Sequence, residues 1–167
     1  MTISKDSIKE LREQCGAGVI ECHHALLETD GDMGKALCIL KERGFAKAAK
    51  KAERVTEQGL VAAYIHAGGR IGAMVELNCE TDFVALTDEF KELAHNLAMQ
   101  VAAMCPRFIL EEEVPEGDEV EVAADCLLSQ PYIKDPSITI QDIIVATIAK
   151  VGENIKVSRF ARFELGK

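Results

Sequence analysis

Apolar positions recur every three or four residues through the first third of the chain and every second residue near its middle. That switch of period predicts a helical module followed by an α+β domain. Ser4 can cap a first helix, with Ile3 and Ile8 at the two positions of a hydrophobic staple and Ile8, Leu11 and Cys15 forming one stripe. Gly16-Ala17-Gly18 breaks the stripe. A second helix is expected from about Val19 to Thr29, with Cys22, Ala25 and Leu26 inward and Gly31 ending it. Asp32 caps a third, with Met33, Ala36, Leu37 and Leu40 on one face and Gly44 as its stop. Residues 1–44 therefore read as a three-helix module, and 45–57 as a linker helix with a weak, alanine-lined apolar face. The linker's Lys47, Lys50, Lys51 and Arg54 fit a solvated face, with docking against an acidic surface as the alternative.

The period-two region begins at Leu60–His66. Gly68-Gly69 is a hairpin signal, and Ile71, Ala73, Val75, Leu77 and Cys79 then alternate with polar or small residues, as a half-buried strand does. Thr87 or Asp88 caps a helix carrying Phe90, Leu93, Ala94, Leu97, Ala98 and Val101 on one face, and Pro106 ends it. Glu111–Glu121 reads as an acidic linker. Thr139 caps another helix, with Ile143, Ile144 and Ile148 buried and Gly152 as its stop. Ile155, Val157, Ala161 and Phe163 suit a last strand. Residues 58–167 are thus expected to form an α+β domain with a small antiparallel sheet packed on helices.

Between the alternating strand and the helix after it lies Glu76-Leu-Asn-Cys-Glu-Thr-Asp-Phe-Val-Ala85. A turn there should be polar, yet Phe83 and Val84 stand beside Asp82. They form a wedge for another protein, or they fold back onto the protein's own core; spacing leaves both open.

Composition narrows the function. A formal net charge of −9 argues against direct nucleic-acid binding, which needs clustered Lys and Arg. No apolar run approaches the ~20 residues of a membrane span, and the N-terminus has Lys5 and Lys9 but no apolar signal region, so a cytoplasmic protein is expected. Cysteines at 15, 22, 38, 79, 105 and 126 have no C-x-x-C spacing and read as reduced thiols. Cys22-His23-His24 does not suit a metal, because successive helical side chains diverge by about 100°. Cys79 with His66 or His95 imitates a thiol enzyme, but Cys79 lies in phase with the apolar face of its strand and no orienting partner is apparent. There is no phosphate-cradling G-x-x-x-x-G-K-[ST] loop. No cofactor and no covalent chemistry are expected.

The decapeptide Glu76–Ala85 resembles the second signature of the elongation factor Ts family, guanine-nucleotide exchange factors of the translational GTPase EF-Tu. Leu11-Arg-Glu-Gln-Cys-Gly-Ala-Gly18 is similar to the family's N-terminal signature. Gly152-Glu-Asn-Ile155 with Arg159-Phe-Ala-Arg-Phe-Glu-Leu-Gly166 is similar to its C-terminal strand. The resemblance implies a UBA-like N-terminal module and EF-Tu as partner. It implies that Thr81, Asp82, Phe83 and Val84 push in near the Mg²⁺ site of the GTPase, with Phe83 the apolar wedge and Asp82 redirecting hydrogen bonds near the metal. It places Arg12, Val19 and Ile20 at a contact with the nucleotide-binding domain. Val19 and Ile20 stand where the family usually has methionines, and His23 and His24 where it has lysines. The 106–136 connection is short beside long family members, which, with an apolar final strand of Phe160, Phe163 and Leu165, leads us to expect a homodimer. The alternative is a UBA-like adaptor that binds a peptide or protein without exchange activity.

Overall fold

Ser4 starts the first helix: its hydroxyl accepts from the Ser7 amide at 3.0 Å, and α1 (Lys5–Cys15) follows. Gly16 ends it in the left-handed conformation (φ 66°), its N–H donating to Arg12 O at 2.8 Å. In this computed structural model, which describes residues 3–167, α2 (Val19–Glu28) and α3 (Met33–Ala49) complete a three-helix bundle. Glu21 accepts from the Gly18 amide at the start of α2, and Asp32 Oδ1 accepts from Lys35 N at 3.0 Å at the start of α3. The bundle core is Leu11, Cys22, Ala25, Leu26, Ala36 and Leu40, ringed by Ile3, Ile8, Cys15, Ala17, Met33 and Leu37.

One expected boundary is corrected. Gly44 does not stop α3, which runs on to Ala49, so the third helix and the start of the supposed linker helix are one element. Gly44 keeps a helical backbone, and its missing side chain makes room for a neighbour: a Cβ there would lie 3.3 Å from Val145 Cγ1. Phe45–Ala49 are mostly good helix formers and carry the helix onward. Residues 145–154 group with the bundle in one unit, and Val55–Ile144 with Ile155–Lys167 form a second. Within the first, buried Asn154 donates from Nδ2 to the carbonyls of Ala52 and Arg54 at 3.3 and 3.1 Å.

The second unit is built on an antiparallel sheet of order β1-β2-β5, from Gln58–Ile65, Ile71–Cys79 and Ile155–Glu164. Its inner face carries Ala73, Val75, Leu77 and Cys79, all buried, against Phe90, Leu93, Ala94, Leu97, Ala98 and Val101 of α5 (Asp88–Met104), as the two periodicities required. Gly59 is needed in β1: with φ 150°, any Cβ would run into the Leu77 carbonyl oxygen.

The last strand departs from simple alternation. Leu77 pairs with Val157 but Glu76 pairs with Arg159, so Ser158 is an extra residue, a β-bulge. Its hydroxyl donates to Asn78 Oδ1 at 2.6 Å. Beyond the bulge the faces exchange. Phe160 pairs with Val75 on the inner face, whereas Ala161 and Phe163 pair with Met74 and Gly72 on the outer one. Ala161 and Phe163 therefore lie on the opposite face from Ile155 and Val157, within the one strand that these residues suit. The outer face is open, with Val61, Ile65, Met74 and Phe163 exposed on it.

The 106–139 stretch is not a bare linker. It contains a 3₁₀ turn at Glu111–Glu113, α6 (Val122–Asp125), a second 3₁₀ turn at Leu127–Ser129 and a small pair of strands, β3 (Pro131–Tyr132) and β4 (Asp135–Thr139). Two buried glutamines anchor it: Gln100 Nε2 of α5 donates to Gln130 Oε1 and Pro131 O, both at 3.0 Å, and the Ile133 amide donates to Gln100 Oε1. Thr139 and Asp142 then cap α7 (Ile140–Val151) reciprocally, Asp142 N donating to Thr139 Oγ1 and Thr139 N to Asp142 Oδ2. Among the described residues, no helix is long and apolar enough to cross a membrane.

Candidate docking site

The decapeptide begins in the last residues of β2, at the end of the strand pair away from the 66–71 hairpin turn, and runs into the turn that follows. Cys79, last residue of β2, is buried, and its thiol donates to Thr81 O at 3.1 Å, so the strand end holds the loop that follows. Thr81, extended at φ −127°, opens α4 (Asp82–Ala85), a single turn. Thr87 secures that turn from the other side: its N–H and its hydroxyl both donate to Val84 O, at 3.0 and 2.8 Å, while its oxygen accepts from Phe90 N to cap α5. One threonine therefore fixes the end of α4 and the start of α5 together.

On this turn the two apolar residues part company, one outward and one inward. Phe83 is 79% exposed; Val84 is 8% exposed and points into the unit, with Ala85 beside it. Val84 thus offers little free surface and acts as the anchor of the turn. Asp82 is exposed in the first turn, and Thr81 is half-buried. Leu86, 66% exposed and three residues after Phe83, extends the exposed apolar surface, and sequence reasoning missed it. The available signal was its spacing: i and i+3 lie on one face of a helical turn.

In the first unit, Arg12 is exposed on α1, and Val19 and Ile20 open α2 at 53% and 72% exposure. Both side chains are outward because the inward positions of α2 go to Cys22, Ala25 and Leu26. Leu27, one heptad after Ile20, is exposed as well and was also missed. The basic run is partly engaged within this unit: Lys47 pairs with Glu21, and Lys51 Nζ donates to Gly152 O at 2.6 Å. The Lys47 ammonium, helped by the Gly18 amide, holds the Glu21 carboxyl below its ordinary range. Cys22 is buried, His23 half-buried and His24 exposed, so the three diverge as helical geometry requires. The Cys79 sulfur is directed to a carbonyl oxygen, while His66 hydrogen-bonds Tyr64 Oη at 3.2 Å and His95 packs edge-on to the Tyr64 ring.

Comparison with known proteins bears on the same residues. The family model described as Elongation factor TS matches residues 45–123, which include the whole decapeptide. The chain is 50% identical to Elongation factor Ts of Heliobacterium modesticaldum over 96% of its length and 88% of that relative. To the proteins of the same name from Carboxydothermus hydrogenoformans and Thermotoga neapolitana it is 47% and 48% identical, over 99% and 100% of the chain and 90% and 99% of each relative. Identity at this level across nearly the full length of both partners establishes kinship: the chain belongs to the elongation factor Ts family.

Proposed function

We propose that this protein is a guanine-nucleotide exchange factor that speeds GDP release from EF-Tu in the cytoplasm during translation elongation, and that it performs no covalent chemistry. The observation that carries this reading is Phe83, an aromatic side chain left 79% exposed on a turn whose other apolar residue, Val84, is buried and whose carbonyl is held twice by Thr87. A bulky apolar group on a fixed support can be driven between elements of a partner without ordering a floppy loop first. Phe83 with Leu86 supplies the wedge, Asp82 supplies a carboxylate beside it that competes for hydrogen bonds near the GTPase's Mg²⁺, and Thr81 sets the approach. The three-helix unit, read as UBA-like, docks on the nucleotide-binding domain through Arg12, Val19 and Ile20.

The energetics follow from linkage. A factor that binds nucleotide-free GTPase more tightly than the loaded form weakens nucleotide binding by the same factor. Mg²⁺ ties the nucleotide phosphates to the switch loops, so a perturbation there is transmitted directly to GDP affinity. The test is the release of a fluorescent GDP analogue from EF-Tu, chased with excess unlabelled GDP, with and without the protein. Acceleration at substoichiometric protein supports exchange. Binding without acceleration supports the adaptor reading instead.

Self-association is the second part of the proposal. The outer sheet face presents Ile65, Met74 and Phe163, with Leu165 just beyond β5, all exposed and adjoining across three strands. An apolar sheet face of this kind is ordinarily covered, and a second copy covers it symmetrically.

A further inference from the structure

Cys15 is the last residue of α1 and Cys22 lies in the first turns of α2, with Gly16-Ala17-Gly18 between the helices. Their sulfurs are 3.9 Å apart, in contact. The other four cysteines are differently placed: Cys38 and Cys105 are exposed, and Cys79 and Cys126 are buried. We propose that Cys15 and Cys22 are a redox modification site, which a low-molecular-weight disulfide such as oxidised glutathione converts reversibly into an intramolecular disulfide.

The two cysteines have distinct parts. Cys15 is half-buried and reachable, whereas Cys22 is fully buried. The Ala17 amide donates to Cys15 Sγ at 3.5 Å, which holds the reachable sulfur at the turn between the helices. The Cys22 thiol is directed to Ala17 O at 3.8 Å; burial, then the neighbouring Cys15, push it up to about 11, against a smaller opposing pull from Arg12. Cys15 is therefore the attacking sulfur and Cys22 the resolving one. In the first step the Cys15 thiolate attacks one sulfur of the oxidised glutathione. The glutathione disulfide breaks, a mixed disulfide forms at Cys15, and one glutathione leaves as thiolate. In the second, Cys22 loses its proton to solvent and attacks the Cys15 sulfur, expelling the second glutathione. Two protein thiols are oxidised, one glutathione disulfide is reduced to two thiols, and the protons balance. Closing from 3.9 Å to the ~2.05 Å of a disulfide needs side-chain rotation and a small shift of the turn. Gly16, already left-handed, and Gly18 give that turn its freedom. Disulfides in reducing compartments are typically transient and redox-sensing, which fits a pair that is reduced at rest and in contact.

The experiment uses the full chain, exposed to excess oxidised glutathione, quenched in acid, alkylated with N-ethylmaleimide and digested without reduction. Trypsin leaves Cys15 and Cys22 in one peptide, Glu13–Lys35. The expected product is that peptide two hydrogens lighter and free of both alkyl group and glutathione, while Cys38 and Cys105 carry glutathione; cleavage after Glu21 should then give two fragments joined by the disulfide. In Cys22→Ala the same peptide should retain glutathione on Cys15, and in Cys15→Ser, Cys22 should be recovered alkylated. Recovery of Glu13–Lys35 with two alkyl groups, or with stable glutathione at Cys15 in the unmutated protein, overturns the proposal. The unmutated chain decides the matter even if Cys22→Ala fails to fold.

Discussion

Phe83→Ala separates a wedge from a core residue, and the structure fixes what it should do. A phenylalanine carries ~200 Å² of apolar surface, so 79% exposure leaves about 160 Å² available to a partner. At ~25 cal/mol per Å², full burial of that surface in a complex contributes at most about 4 kcal/mol. Alanine at an aromatic hot spot typically loses ~2 kcal/mol or more, so a loss of about 2–4 kcal/mol is expected, a fall of roughly 30- to 1000-fold in the efficiency of GDP release. The surface buried on folding is only the remaining fifth, about 40 Å² or ~1 kcal/mol, and alanine's helix propensity offsets part of it. The neighbouring Val84→Ala should do the reverse: Val84 is buried, so ~2 kcal/mol of stability is lost, while the folded fraction exchanges GDP nearly normally. The assay is stopped-flow release of a fluorescent GDP analogue from EF-Tu, with urea melts on both variants. If Phe83→Ala loses as much stability as Val84→Ala, or exchanges GDP like the parent while folded, the wedge argument fails.

Four further outcomes are expected. Cys79→Ala should lower stability through a lost packing contact and the lost bond to Thr81 O, with exchange by the folded protein close to normal; a folded but inactive variant revives thiol chemistry. Val19→Asp and Ile20→Asp should stay folded and bind nucleotide-free EF-Tu more weakly by calorimetry, whereas Leu26→Asp in the core should unfold the bundle; unchanged binding by both surface variants removes the three-helix unit from the contact. Phe163→Asp should shift sedimentation from dimer to monomer, and a parent protein that is monomeric at high concentration refutes self-association. Under reducing conditions the melting temperature should fall as pH rises from ~9 towards 11: unfolded Cys22 releases its proton near the ordinary thiol value, folded Cys22 near 11, so stability is full below ~9 and up to roughly 2–3 kcal/mol is lost by the upper end. Burial also pushes up Cys126 and Tyr132, which add to the slope, so the check is that Cys22→Ala flattens it in part.

Much of the architecture is written in short-range pattern. The alternation from Ile71 to Cys79, the stripe of α5 and the caps at Ser4, Asp32, Thr87 and Thr139 each rest on periodicity or a local hydrogen bond, and all are present as elements. What was not legible depends on neighbours distant in the chain. Gly44 reads as a stop until Val145 is known to lie against it. Gln100 and Gln130 look like surface residues until they are found paired and buried. The split between Phe83 and Val84 could not be read from spacing, because a one-turn helix is too short to show a period, and its orientation is set by Thr87 and the core beneath it.

Ser158 deserves a different kind of accounting, that of insertions and deletions. A substitution on β5 changes one side chain, but loss of this single extra residue would re-register everything after it against β2. Phe160 would turn outward, Phe163 and Ala161 would turn towards α5, and Arg162 would lose its reach to Ala102 O, to which its Nε now donates at 3.0 Å. A chain lacking Ser158 would keep almost every residue of the sequence and yet display a different surface. The identity of the sheet's outward face is therefore carried by the length of one strand as much as by the residues in it.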